Sequence, residues 1–344
     1  MIAYVASAGT REIIGFALDR ERGGLSRLFV VGVPGGTGES PTSMPLALGP
    51  DRRRLYAAVR CSPFVLASFA IDRSSGALAP LATAPLPDAM AYVATDRTGR
   101  WLLAASYVGA CLSLSAAEGD GAVRDAARQV IGTPPKAHCI LADPGNRWVL
   151  ATSLGGDVVL VFRLDAATGA LKAHPPGTLR LPPGSGPRHL AFHPEAALVF
   201  LLDELGGRVR VLAFDAEAGR LEPRHDVPLL ARGAPESHAA AEIRVTPDGR
   251  FLYASERVTS RIAGFAVDCK AGRLTPLGSW PTEPSPRSFA ISPCGRWLLA
   301  AGQESGRLAS YAIDRASGAL AECAVVRAGT NPSWIEIIEL SPEP

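Results

Sequence analysis

The residues of this sequence that could do chemistry are a histidine, two arginines and a glutamate that stand at matching places in a repeating pattern. His138, Arg188 and Arg287 each come at the start of a short apolar segment, and Glu204 comes at the end of one. Arginine donors stabilise the oxyanion that forms when a carbonyl is attacked, while a carboxylate or an imidazole can move the proton. These residue types predict acyl chemistry without a serine nucleophile, with the four residues as the catalytic group.

Other polar residues occupy the same two repeat positions or adjoin them. Arg60, Tyr107, Arg257 and Gln303 follow apolar segments as Glu204 does, and His189 and Glu242 stand next to the starting positions. We expect these six to bind substrate in a concave site. The alternative is that some of them pair with one another and stabilise the wall of the site, because buried charges are costly unless paired.

Two repeated phrases define the elements that must position these residues. The first runs from an aromatic residue through an acid to a Gly-x-Leu turn. Its acids lie at intervals of 46 to 53 residues, at Asp19, Asp72, about Glu118, Asp165, Asp215, Asp268 and Asp314. The second is a pair of apolar segments around a Pro/Asp/Gly/Arg turn, which is typical of a β-hairpin. Its seventh copy is split between residues 3–7 and 332–338.

The repeats predict an all-β, seven-bladed β-propeller with four antiparallel strands per blade, as a single domain over residues 1–344. Strands from both termini would complete one blade, which removes open sheet edges. An open β-solenoid or two β-sandwiches would not require a split copy. In a propeller, both repeat positions fall at one mouth of the central channel, so the polar residues should gather there.

Composition excludes several classes of function. With 344 residues, 47% hydrophobic residues and a net charge of +2, the chain can bury a large core and has no overall charge that favours nucleic acid or a membrane. Motifs for a serine hydrolase elbow, a phosphate loop or a zinc protease are missing from the sequence. We predict a cytoplasmic monomer without metal or cofactor, with its six cysteines acting as small buried hydrophobes.

A divalent cation held by carboxylates is the alternative to a metal-independent site. Asp203, Glu204, Glu242 and Glu256 could supply hard oxygen ligands. Several arginines compete for the same carboxylates, which favours the metal-independent interpretation.

Five segments give the sequence a family resemblance: GSGPRHLAFHP at 184–194, DEL at 203–205, VTPDGRFLYASER at 245–257, PTEPSPRSF at 281–289 and AAGQESG at 300–306. In these the chain resembles the seven-bladed β-propeller lactonases, and among them the bacterial 6-phosphogluconolactonases of the propeller type. The resemblance implies metal-independent hydrolytic opening of a sugar 1,5-lactone. It also implies an active site formed by His138, Arg188, Glu204 and Arg257 or Arg287.

The resemblance leads to a mechanistic hypothesis. Arg188 and Arg287 would polarise the lactone carbonyl, and Glu204 or His138 would act as the general base. Arg257, Arg60 and Lys136 are candidates for binding a phosphate or orienting hydroxyls, with help from Tyr107 and Gln303. The alternatives are a lactonase for unphosphorylated aldonolactones, an isomerase that shifts the 1,5-lactone to a 1,4-lactone, and a non-catalytic interaction scaffold.

Overall fold

The computed structural model describes residues 1–38, 41–231 and 237–340, and these residues form seven antiparallel sheets. The predicted domain of residues 1–344 also includes 39–40, 232–236 and 341–344, which lie outside the described residues. A single 3₁₀ turn, Pro175–Gly177, is the only helical element of the described part. No helix in that part is long and apolar enough to cross a membrane.

The strands of each blade follow one another outward from the channel. Blade 1 contains β29 (Pro332–Ile338), β1 (Ile2–Ser7), β2 (Glu12–Leu18) and β3 (Leu25–Gly32). Blade 2 contains β4 (Leu46–Leu48), β5 (Arg54–Val59), β6 (Val65–Ile71) and β7 (Leu78–Pro85). Blade 3 contains β8 (Met90–Thr95), β9 (Trp101–Ser106), β10 (Cys111–Ala116) and β11 (Gln129–Gly132). Blade 4 contains β12 (Ala137–Ala142), β13 (Trp148–Ser153), β14 (Val158–Asp165), β15 (Ala170–Ala173) and β16 (Leu179–Arg180).

The last three blades repeat the same order. Blade 5 contains β17 (Pro187–Phe192), β18 (Leu198–Asp203), β19 (Arg208–Asp215) and β20 (Arg220–Pro228). Blade 6 contains β21 (Ala240–Val245), β22 (Phe251–Glu256), β23 (Arg261–Asp268) and β24 (Arg273–Pro281). Blade 7 contains β25 (Pro286–Ile291), β26 (Trp297–Gly302), β27 (Arg307–Ile313) and β28 (Leu320–Arg327).

The predicted seven-bladed propeller and its split blade are confirmed. The innermost strands contact one another in a closed ring in the order β4, β8, β12, β17, β21, β25, β29 and back to β4. In blade 1, the C-terminal strand β29 pairs antiparallel with the N-terminal strand β1, with Val5 opposite Ile335. Both of these side chains are fully buried, so the two ends of the chain share one core.

The two repeated phrases bind each blade to the next one. The acid of the first phrase caps its own turn: Asp165 Oδ1, for example, accepts hydrogen bonds from two backbone N–H groups of that turn. An aromatic residue of the second phrase reaches the same turn from the preceding blade, since Trp101 Nε1 donates to Ala166 O over 2.8 Å. Gly169 in this turn has a positive φ of 76°, and a Cβ there would collide with the Trp101 ring.

Two details differ from the sequence prediction. In blade 4, the outer position is shared by β15 and β16, because Pro175 and Pro176 cannot donate to the sheet and form the 3₁₀ turn between the two strands. The prediction of six buried cysteines is wrong for three of them. Cys61, Cys111 and Cys139 are buried, whereas Cys269, Cys294 and Cys323 lie in turns or on an edge strand and are exposed.

Candidate active site

A β-bulge near the start of the innermost strands places the side chains that line the channel mouth. In β12, Ala137 pairs with Ser153 and Cys139 with Thr152, so that His138 is an extra residue without a partner in the neighbouring strand. Arg188 in β17 and Arg287 in β25 occupy the same bulged position. These residues therefore lie inside the strands rather than just before them. Bulges re-aim side chains and are frequent beside active sites.

The bulges and the ends of the second strands together enclose a cavity of about 210 Å³. It is lined by Thr42, Arg60, Ala91, Tyr107, His138, Arg188, Glu204, Arg257 and Arg287. The structure thus brings together at one mouth all four residues predicted to be catalytic and three of those predicted to bind substrate. Four guanidinium groups and a single carboxylate line this cavity.

Glu204 bridges two of the arginines. Its Oε2 lies 2.8 Å from Arg188 Nε, and its Oε1 accepts a hydrogen bond of 2.9 Å from Arg257 Nη2. Arg257 Nε donates in turn to the backbone carbonyl of Ala239 over 3.0 Å. Only 2% of the Arg188 side chain is exposed, and burial lowers its pKa to about 10. The carboxylate of Glu204 opposes that shift and stabilises the buried cation.

Arg287 and Arg60 have no such carboxylate partner. Within the described residues, the Arg287 guanidinium makes no hydrogen bond or ion pair, although it lines the cavity. Arg60 Nη1 donates only to the neutral hydroxyls of Thr42 and Ser43. Burial lowers the pKa of Arg287 well below its ordinary value, and the charges of Arg188 and Arg257 act in the same direction. An anion that entered the cavity would relieve this unfavourable state.

His138 contributes a neutral imidazole to the cavity. Burial is the main reason that its pKa lies well below the ordinary value, and the charges of Arg188, His189 and Arg287 lower it further. Its Nδ1 is buried and has no hydrogen-bond partner in the described part of the chain. The ring packs edge-on against Tyr107, with a centroid distance of 5.8 Å. Because Nδ1 is closed off from water, Nε2 is the ring nitrogen that can accept a proton from a water in the cavity.

Four predicted binding residues do not line the cavity. The exposed Lys136 places its Nζ 5.6 Å from the centre of the Tyr107 ring, at the rim. Gln303 Nε2 donates to the Thr42 carbonyl over 3.0 Å and so supports the cavity wall. His189 and Glu242 lie beneath Arg188, where each is only 2% exposed.

Two cavity residues were missed by the sequence analysis. Thr42 lies in a segment before β4 that neither repeated phrase covers, and its only signal is that it is a polar residue shortly before the first strand of its blade. Ala91 holds the bulged position of blade 3, but its methyl group suggests no chemistry. The sequence alone shows which repeat positions lie at the channel mouth, but it does not show which small residues there leave space for a ligand.

The carboxylates considered for a cation are already engaged by protein groups. Asp203 Oδ2 lies 2.7 Å from Arg210 Nε, and Glu256 accepts backbone N–H bonds from Ala239, Val258 and Thr259. In the described ranges, no three His, Cys, Asp or Glu side chains come together as a metal-binding group.

Fold and mouth together define a seven-bladed β-propeller with a small, arginine-rich pocket at one end of its channel. Comparison with known sequences gives the family. The sequence model described as "Lactonase, 7-bladed beta-propeller" matches residues 2–337. The chain belongs to this family, as its sequence resemblance predicted.

Individual relatives agree with the family assignment. The chain is 36% identical to a 6-phosphogluconolactonase of Pectobacterium carotovorum over 339 residues, which cover 98% of this chain and 99% of the relative. It is also 36% identical to a 6-phosphogluconolactonase of Serratia proteamaculans, over 98% of both chains. The solved structure of the periplasmic gluconolactonase of Pseudomonas aeruginosa matches with a TM-score of 0.90 at 27% identity, over 99% of each chain.

Proposed function

We propose that this protein is a 6-phosphogluconolactonase, which hydrolyses the ester of a phosphorylated sugar 1,5-lactone to the open acid. The observation that carries the proposal is a pocket of about 210 Å³ lined by four arginines, one carboxylate and one neutral histidine, in which the carboxylate of Glu204 pairs with only two of the arginines. Such a pocket suits a small anionic ligand with a reactive carbonyl. The names of the full-length relatives support the same substrate.

The reaction begins with polarisation of the lactone carbonyl. Arg287 has no protein partner in the described residues, and Arg188 lines the cavity beside it, so both can donate to the carbonyl oxygen. Water then attacks the carbonyl carbon, and the oxyanion that forms is stabilised by the two guanidinium groups. When this intermediate collapses, the bond between the carbonyl carbon and the ring oxygen breaks.

His138 is the better placed of the two candidate bases. Both oxygens of Glu204 already lie within 2.9 Å of an arginine nitrogen, whereas His138 is neutral and free of hydrogen-bond partners among the described residues. In the proposed step, its imidazole takes the proton from the attacking water and returns it to the ring oxygen as that oxygen leaves. Glu204 holds Arg188 and Arg257 in place.

Arg60, Arg257 and the rim residue Lys136 are proposed to bind the phosphate of the substrate. Arg60 and Arg257 line the same cavity, and Arg60 donates only to neutral hydroxyls. Arginine forks suit phosphate oxygens, and a lysine adds a flexible positive charge. Tyr107, which lines the cavity, would orient a sugar hydroxyl, and Gln303 would support the cavity wall through its hydrogen bond to Thr42. The cytoplasmic location and the monomeric state remain predictions.

The test is NMR observation of phosphorylated and unphosphorylated glucono-1,5-lactones during turnover. We expect the enzyme to convert the phosphorylated lactone to the free acid faster than the spontaneous reaction, and with a higher kcat/KM than for the unphosphorylated lactone. Preferred turnover of the unphosphorylated lactone would change the substrate. A ring-shifted 1,4-lactone as product would replace hydrolysis by isomerisation, and turnover of neither lactone would favour a binding role.

Substitution of the charged pair tests the assignment of the site. Arg188→Ala and Glu204→Gln should each lower kcat/KM by about 10²-fold or more, because each removes support for the oxyanion. Steady-state kinetics on the phosphorylated lactone measures the loss, with Arg208→Ala, which disrupts an exposed ion pair with Asp226, as the matched control. Wild-type turnover by both site variants would overturn the assignment.

A further inference from the structure

A second layer of polar residues lies beneath the cavity and leads away from Arg188 into the channel. Arg188 Nη1 lies 3.1 Å from His189 Nε2, and His189 Nδ1 lies 3.0 Å from Glu242 Oε1. Both His189 and Glu242 are 2% exposed and neither lines the cavity. A buried ionisable pair of this kind is costly unless its geometry is well satisfied. The reaction proposed above does not use either residue.

The neighbours of His189 determine which of its nitrogens carries the proton. A guanidinium group can only donate, so Nε2 must accept from Arg188, and the proton of a neutral ring lies on Nδ1. Nδ1 then donates to Glu242 Oε1, which also accepts the N–H of Ile243 over 3.1 Å. The packing keeps the ring in this orientation, because Tyr92 and His138 lie edge-on against it at 5.0 Å.

Arg188 depends on this arrangement for its position. Three groups fix its guanidinium: Glu204 at Nε, the Ala241 carbonyl at Nη1, and His189 at Nη1. Glu204 is partly exposed in the mouth and is shared with Arg257. His189 and the backbone of Ala241 therefore provide the contacts from the buried side.

We infer that Glu242 and His189 are positioning residues, which hold Arg188 at the cavity in the geometry needed to stabilise the transition state. This inference rests on the proposed lactonase function and differs from the sequence expectation that both residues bind substrate. A misplaced Arg188 would weaken its hydrogen bond to the oxyanion more than its contact with the ground-state lactone. Loss of the pair should therefore lower kcat and leave KM nearly unchanged.

Two amide substitutions separate the two contacts of His189. In His189→Asn, the amide occupies the place of Nδ1 and can still donate to Glu242, but the acceptor for Arg188 is lost. In His189→Gln, the amide oxygen reaches the place of Nε2 and can accept from Arg188. We expect kcat to fall about 10- to 100-fold in His189→Asn and by less than about threefold in His189→Gln, with KM within about twofold of the wild type.

His193→Asn is the matched control. His193 is also a buried histidine, and its Nδ1 accepts the N–H groups of Glu195 and Ala196 in a turn outside the mouth. This variant should retain kcat even if its melting temperature falls. Equal kcat values for His189→Asn and His189→Gln would overturn the inference. A raised KM with normal kcat would do the same, because it would indicate direct substrate binding.

A readout independent of activity is the ¹⁵N NMR spectrum of the histidine side chains at pH 7. We expect His189 as the neutral Nδ1–H tautomer, assigned by comparison with His189→Gln. A neutral Nε2–H tautomer or an imidazolium would contradict the inference even in a protein that turns over lactone. If the wild type turns over no lactone, the proposed function fails, while this spectrum still tests the arrangement of the pair.

Discussion

At the scale of single residues, the arginines of the mouth are of two kinds, those paired with a carboxylate and those without such a partner. Arg188 and Arg257 share the carboxylate of Glu204, whereas Arg287 has neither an ion pair nor a hydrogen bond within the described residues. An arginine stays charged in a protein, so an unpaired one in a partly buried site favours an incoming anion. We therefore expect Arg287 to contribute more to anion binding than Arg188 or Arg257, whose charges are already paired with Glu204.

Inorganic phosphate is a small tetrahedral anion, like the oxyanion intermediate that Arg287 is proposed to stabilise, so its binding in the shared cavity tests this role. Arg287→Gln should raise the inhibition constant of phosphate about 10- to 100-fold, because a charge-assisted hydrogen bond contributes about 1.5–3 kcal/mol. The control is Arg315→Gln, which removes an exposed arginine from a turn between β27 and β28. Titration of phosphate against lactone turnover measures both variants. Equal inhibition constants in Arg287→Gln and the wild type would contradict the proposed role.

His138 links the chemistry of the site to the stability of the fold. Its folded-state pKa lies well below the ordinary value because of burial, so the folded protein keeps it neutral. Below about pH 6.5, the unfolded chain takes up a proton that the folded protein does not. The free energy of unfolding of the wild type should therefore fall, relative to His138→Gln, by about 1.4 kcal/mol per pH unit down to the folded pKa.

Urea unfolding of both proteins at pH 7.5, 6.5 and 5.5 measures this difference. The other titrating groups occur in both proteins, so their contributions largely cancel in the comparison. A constant difference across the three pH values would show that His138 titrates normally in the folded state. The same variant should lower kcat at every pH if His138 is the general base.

At the scale of elements, the β-bulge is the feature of the innermost strands that places a side chain in the cavity. An innermost strand without a bulge would present alternate side chains to its two faces. The extra residue in β12, β17 and β25 adds a side chain outside that alternation, and in each of them it lines the cavity. Blade 3 has the same bulge with Ala91, which leaves room for a ligand.

A larger side chain at Ala91, the bulged residue of blade 3, should therefore fill the pocket. Ala91→Phe should place a ring in the cavity of about 210 Å³ and lower kcat/KM on the order of 10²-fold, whereas Ala91→Ser should stay near wild type. Steady-state kinetics and a thermal melt of both variants measure activity and folding separately. A folded Ala91→Phe protein with normal kcat/KM would show that the substrate binds elsewhere.

The repeats made the blades and the ring of polar residues predictable, because each copy carries its own turn and strand pattern. The bulges were not predictable in the same way. Counting apolar residues places His138 before its strand, since the extra residue interrupts the period of two that marks a strand. The burial of His189 and Glu242 below the cavity could not be predicted from the sequence either. Their sequence neighbours do not show that Arg188 lies between these residues and the cavity.

At the scale of the whole molecule, charge is distributed so that the mouth differs from the average surface. The chain carries a net charge of only +2, but the cavity is lined by four arginines and one glutamate. Closure of the ring by β29 and β1 produces this contrast, since it brings residues from blades 2 to 7 to one opening. A mouth of one sign attracts oppositely charged ligands over a distance set by ionic strength.

Ionic strength should therefore affect the two lactones differently. Raising the salt concentration from about 0.1 M to 1 M shortens the screening length from about 10 Å to 3 Å, so kcat/KM for the phosphorylated lactone should fall severalfold. The neutral lactone should show little change and serves as the control. Arg287→Gln should reduce the salt effect, because it removes one of the four positive charges. Equal salt dependence for both lactones would place the phosphate outside the field of the mouth.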